Sequence, residues 1–85
     1  MARVRILYWQ DVPSVVKAAD DDGAEVKREL PDWFQQEIDH RAMTQGLTGT
    51  DEYLEQWHWS EVLERPGAAA DVLDEVAREL EAEHT

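Results

Sequence analysis

The sequence predicts a small α+β domain in which a three-stranded antiparallel sheet is packed by two to three helices. Short apolar runs separated by turn residues fill the first thirty positions, as in a meander of strands. From Pro31 onward, apolar residues recur every three or four positions, which is the period of a helix. A chain of 85 residues can bury only one small core. We therefore expect a single domain over residues 1–85.

The three predicted strands cover residues 2–9, 14–18 and 24–30. The first alternates charged and apolar side chains and then becomes apolar on both faces, which is typical of a strand covered twice at one end. Pro13 cannot donate to a strand ladder, and Gly23 accepts a positive φ at little cost, so both are expected in turns. This order of strands and turns predicts an antiparallel meander.

The predicted helices begin after Pro31 and at about residues 51 and 68. Gly46 is expected to end the first helix, since glycine is favoured just beyond a helix C-terminus. Thr50 precedes two carboxylates and is expected to cap the second helix, over residues 51–63. The third helix is predicted over residues 68–83, with an apolar stripe toward the core and an acidic opposite face.

The charge of the chain is strongly acidic, with 20 acidic and 8 basic side chains and a net charge of −12. Residues 47–85 carry eleven of the acidic side chains and only two of the basic ones. Such a charge disfavours nucleic acid and anionic membranes as partners. No cysteine is present and no apolar run is long enough to span a membrane, so we expect a cytoplasmic protein held together by packing alone.

One row of carboxylates stands out on the third predicted helix, where Asp71, Glu75, Glu79 and Glu83 follow one another at i, i+4 spacing. Like charges at this spacing destabilise an isolated helix. The row has two interpretations. It is either a solvated face that keeps the protein soluble, or a surface complementary to a basic partner.

Four segments resemble a bacterial family of short proteins known as "virulence factor". They read Val4-x-Ile6-x-Tyr8-Trp9, Asp11-Val12-Pro13-Ser14, Leu30-Pro31-Asp32-Trp33-Phe34-Gln35 and Ala42-Met43-x-x-Gly46-Leu47-x-Gly49-Thr50-Asp51-x-Tyr53-Leu54. The resemblance covers residues 1–63 and leaves the acidic helix at 64–85 outside. It implies a bacterial cytosolic module and carries no catalytic residue or cofactor. Because the family also occurs fused within longer proteins, the resemblance favours an interaction role.

Glutamate and histidine recur at Glu-x-x-His spacing in three places, which raises the alternative of a small metal-binding protein or enzyme. The pairs are Glu37 with His40, Glu55 with His58, and Glu81 with His84. Two such pairs on facing helices can hold a di-iron or di-manganese site. The helical positions turn His40 away from the predicted core, so we expect no metal and no cofactor. No nucleophile elbow or phosphate-binding loop is present either.

Aromatic residues give the stronger functional indication. Adjacent aromatic residues point in different directions, so one of each pair can fill the core while the other lies elsewhere. We expect Tyr8, Phe34, Tyr53 and Trp57 inside and Trp9, Trp33 and Trp59 partly exposed. Exposed tryptophan is enriched at binding hot spots, although aromatic rims also cover the sheets of small domains.

These observations predict a non-catalytic protein-interaction module or an accessory subunit of a larger bacterial assembly. The predicted partner-binding residues are the tryptophans and carboxylates Trp9, Trp33, Trp59, Asp71, Glu75, Glu79 and Glu83. The expected partner is a protein, with a basic surface as one option, or a second copy of the chain bound through the tryptophans.

Overall fold

The computed structural model describes residues 1–83 and confirms the α+β class. The strands are β1 (Ala2–Trp9), β2 (Val12–Ala19), β3 (Glu25–Glu29), β4 (Trp57–Trp59) and β5 (Leu63–Arg65). The helices are α1 (Asp32–Thr44), α2 (Asp51–Glu55) and α3 (Ala69–Glu83). All strand pairs are antiparallel, in the order β3-β2-β1-β4, and β5 also pairs with β1.

The prediction of three strands was wrong, because the sheet has five. The predicted helix over residues 51–63 ends at Glu55, and the chain then returns to the free edge of β1. There β4 and β5 pair with opposite ends of β1. Between them, Ser60 closes the gap: its amide donates to the Ile6 carbonyl at 2.8 Å and its hydroxyl accepts from the Ile6 amide at 2.9 Å. The open edge of β1 therefore overrides the helical pattern of this segment.

β2 begins two residues earlier than predicted and contains Pro13. The register of β1 against β2 shifts between Leu7 and Tyr8, so that Tyr8 pairs with Pro13 and leaves Ser14 over as a bulge. Proline is tolerated at such a bulge, because the ladder is already interrupted there.

The first face of the sheet carries the even-numbered residues of β1 and, beyond the bulge, those of β2 from Val16 on; it is covered by α3, which packs across β1, β2 and β3. Its buried side chains from the two strands are Ala2, Val4, Ile6, Val16 and Ala18. Opposite them, α3 buries Ala69, Val72, Leu73, Val76, Ala77 and Leu80. The carboxylate of Asp20 accepts a hydrogen bond from the Ala69 amide at 2.7 Å and thereby fixes the start of the helix.

The second face carries the odd-numbered residues of β1 and is covered by α1 and α2 at one end only. Trp9 and Val12 are buried there with Phe34 and Ile38 of α1. As predicted, α1 ends before Gly46, whose φ of 70° allows the Leu47 amide to bond back to the Ala42 carbonyl at 2.8 Å. Thr50 caps α2 as predicted, since its hydroxyl accepts a hydrogen bond from the Tyr53 amide at 3.3 Å.

Within residues 1–83, none of the helices is both long enough and apolar enough to cross a membrane.

Candidate interaction surface

The other end of the second face is not covered by any of the described helices. The side chains around this opening include four of the eight basic residues of the chain and one tryptophan. We call this surface the basic patch; its members are Arg3, Arg5, Lys17, Lys27 and Trp59. Arg3, Arg5, Lys17 and the carboxylate Glu25 line a shallow groove of about 260 Å³ there.

Strand register aligns three of these cations in a single row. Arg5 pairs with Lys17 across β1 and β2, and Lys17 pairs with Lys27 across β2 and β3. Directly opposite residues of neighbouring strands lie on the same face, with Cβ atoms about 5 Å apart. Like charges placed in this way destabilise a sheet, and carboxylates on the same face offset part of this cost, because Glu25 and Glu29 flank Lys27 on β3 and Glu64 lies opposite Arg3.

Trp59 lies beside the row of Arg5, Lys17 and Lys27, which we call the cation row. It pairs with Leu7 across β4 and β1, which places it on the second face, and it is 43% exposed. Its ring centroid is 5.4 Å from the Arg5 guanidinium carbon and 5.8 Å from the Lys17 ammonium nitrogen. Both distances fall within the range of cation–π attraction. The basic patch thus combines an apolar ring with positive charge.

Only one cation of the basic patch is bound by a carboxylate among the described residues. Lys17 forms an ion pair with Glu25 at 2.9 Å, whereas none of the ion pairs of residues 1–83 involves Arg3, Arg5 or Lys27. This contrasts with Arg28, Arg41 and Arg65, which each bind at least one carboxylate. The basic patch therefore holds cations that remain available to a ligand.

The prediction that Trp9 is partly exposed was wrong. Its side chain is 0% exposed, and its indole nitrogen donates a hydrogen bond to the Tyr53 carbonyl at 2.9 Å. The alternation of β1 does place Trp9 on the opposite face from Tyr8. At this end, however, α1 and α2 cover that face too, so Trp9 belongs to the core and not to a binding surface.

Trp33 is 36% exposed, as predicted, but it lies elsewhere. It sits at the start of α1 and stacks on Phe34 with ring centroids 3.9 Å apart. Among the described residues, the ring contacts and cation–π contacts include none that joins Trp33 to Trp59. The three tryptophans hence do not form one continuous surface.

The acidic row of α3 is partly occupied by a cation from the sheet. Arg65 of β5 donates to Glu75 at 2.9 Å and forms a bidentate ion pair with Glu79. The hydrogen bond and charge of Arg65 lower the pKa of Glu79 below its ordinary value. Asp71 and Glu83, the ends of the row, have no ion pair among residues 1–83. Arg65 thus explains how the like charges of Glu75 and Glu79 are accommodated at i, i+4 spacing.

The two Glu-x-x-His pairs within the described residues do not lie on facing helices. Glu37 and His40 are exposed on α1, and Glu55 ends α2, while His58 belongs to β4 and stacks on Tyr8. His84 lies outside the described residues. In the described part of the chain, no group of three histidine, aspartate or glutamate side chains is arranged to hold a metal ion.

The basic patch was missed by sequence reasoning, although Arg3, Arg5, Lys17 and Lys27 are visible in the sequence. The alternation in the first strand places Arg3 and Arg5 on one face. Only the register of β1 against β2 and β3 brings the lysines beside them, and only the return of β4 adds Trp59.

The fold and the basic patch together define a small α+β domain that leaves one end of one sheet face uncovered by the described helices. The chain belongs to the family described as "Virulence factor", whose family model matches residues 7–85. The matched range continues past residue 63, where the resemblance in motifs ended, and takes in α3. No curated protein and no solved structure matches the chain.

Proposed function

We propose that the protein is a non-catalytic interaction module, or an accessory subunit of a larger assembly, that binds a partner protein on the basic patch. One observation carries the proposal: in a chain with a net charge of −12, four of the eight basic side chains share one uncovered sheet face, and two of them lie 5.4 and 5.8 Å from the ring of the exposed Trp59. Tryptophan and arginine are the residue types most enriched at binding hot spots.

The energetics of the sheet support the same reading. A row of cations in cross-strand register costs stability, and a bound partner that supplies negative charge offsets this cost. The acidic row of α3 is the weaker candidate surface, since Arg65 already binds two of its four carboxylates.

Site-specific photo-crosslinking in cells that naturally make the protein tests this proposal. A photoreactive phenylalanine replaces Trp59 in one variant and Trp33 in a matched control, because both are exposed tryptophans on different surfaces. We expect a discrete protein adduct from position 59 and none from position 33. Absence of an adduct at position 59, with the variant folded by circular dichroism, would contradict the proposal.

A further inference from the structure

We infer that the basic patch binds an acidic, extended segment of the partner protein, with carboxylates on the cation row and an apolar side chain on Trp59. This inference rests on the proposed function and adds to it the chemistry of the partner.

The dimensions of the basic patch fit such a segment. Neighbouring strands are about 4.8 Å apart, so Arg5, Lys17 and Lys27 form a row about 10 Å long. In an extended chain, side chains two residues apart point the same way and are separated by about 7 Å. Two carboxylates at this spacing can therefore contact the row together, and Trp59, beside Arg5 and Lys17, is within reach of a neighbouring apolar side chain.

The charge distribution favours a short acidic segment over a polynucleotide. At physiological ionic strength, electrostatic interactions are screened over about 8 Å, so carboxylates that dock on the row interact with its cations and with the adjacent Glu25 and Glu29, and not with the more distant acidic surface. A polynucleotide carries regularly spaced phosphates beyond the ends of any short site, and outside the basic patch it would meet the acidic surface of this chain. Stacking of successive bases also needs several aromatic rings, whereas the basic patch offers Trp59 alone.

A second copy of the chain is a poorer fit. A symmetric pair joined through the basic patch would place two cation rows against each other. A head-to-tail pair would need the acidic row of α3 as its second surface, and two carboxylates of that row are bound by Arg65.

The test uses the full chain and three probes: a fluorescent decapeptide of aspartate and glutamate with one central phenylalanine, the same peptide with asparagine and glutamine in their place, and a thymidine oligonucleotide. Fluorescence anisotropy measures affinity, and the indole N–H signal of Trp59, assigned with Trp59→Phe, reports the location by NMR. We expect the acidic peptide to shift that signal and to bind at least about tenfold tighter than the neutral one, in a salt-dependent manner.

Substitutions distinguish binding at the basic patch from a general effect of net charge on affinity. Lys27→Gln is expected to weaken binding of the acidic peptide about threefold and Trp59→Ala about tenfold. Arg78→Gln is the matched control, since it removes the same charge from α3, on the other side of the sheet, and should change affinity less than about twofold.

Several outcomes would overturn the inference: equal binding of the neutral peptide, tighter binding of the oligonucleotide, equal effects of Lys27→Gln and Arg78→Gln, or self-association in sedimentation that Trp59→Ala abolishes. Failure of the proposed function can be distinguished from failure of this inference. If a partner crosslinks at position 59 and its capture is unchanged by Lys27→Gln, the module stands and only its acidic ligand is rejected. If no partner crosslinks there, the interaction role itself is rejected.

Discussion

The two faces of the sheet differ in how far helices cover them and in how their basic side chains are paired. On the first face, α3 covers the apolar side chains of the strands, and two arginines of the strands are bound to its carboxylates: Arg28 to Asp74, and Arg65 to Glu75 and Glu79. On the second face, α1 and α2 cover the end around Trp9 and leave the end around Arg5 open. The comparison separates residues that hold the fold together from residues whose arrangement costs the fold stability.

The largest expected effect on stability is at the covered end of the second face, and a substitution at the open end serves for comparison. Trp9→Ala should lower the free energy of unfolding by about 3–5 kcal/mol, because it creates a core cavity. It also leaves the Tyr53 carbonyl without its donor. Trp59→Ala is the matched control on the same face and should cost about 0.5 kcal/mol or less. Urea unfolding measures both, and similar losses would show that the open end is structural as well.

The charges at the margin of the first face give the next effect. Arg65→Gln should lower the free energy of unfolding by about 1 kcal/mol, since Glu75 and Glu79 would then repel each other without a cation between them. Arg78→Gln, on the same helix, removes one charge without breaking any ion pair found among residues 1–83. An equal loss in the two variants would mean that net charge, and not the Arg65 bridge, is responsible.

Removing a charge from the cation row should raise the free energy of unfolding, whereas the two preceding substitutions lower it. Lys27→Gln removes one like-charge pair from the row and should raise the free energy of unfolding by about 0.2–1 kcal/mol. Thermal and urea unfolding at low ionic strength would show the gain most clearly, and added salt should reduce it. A loss of stability in this variant would mean that Lys27 supports the fold, and the argument that the row exists for binding would fail.

The smallest effect is the pH dependence contributed by Glu79. Because its folded pKa is lowered by Arg65, the ion pair stabilises the native state fully at pH values well above the ordinary pKa of 4.5. That stability is lost as the pH falls through the lowered pKa. The difference in unfolding free energy between the wild type and Glu79→Gln should accordingly shrink on acidification. A difference that stays constant down to pH 2 would rule out the ion pair as its source.

Local sequence patterns were sufficient for the elements whose determinants are close along the chain. The Gly46 ending of α1 and the Thr50 cap of α2 depend on a few neighbouring residues. The acidic and apolar faces of α3 follow directly from its period.

The remaining features depend on contacts between distant segments. Three residues in β4 are too few to establish an alternating pattern, and they form a strand because β1 offers an unpaired edge. The burial of Trp9 could not be predicted for the same reason: alternation assigns a side chain to a face, but not to a covered or an open part of that face. The basic patch requires the register of four strands.

The edges of the sheet have a consequence for how the protein meets other molecules. One edge is β3, a strand of five residues of which Glu25, Lys27, Arg28 and Glu29 are charged. The other is divided between two strands of three residues each. Short, charged or interrupted edges resist the addition of a further strand. A partner is thus steered away from extending the sheet sideways and toward its flat surface, which also limits the tendency of copies to stack into fibres.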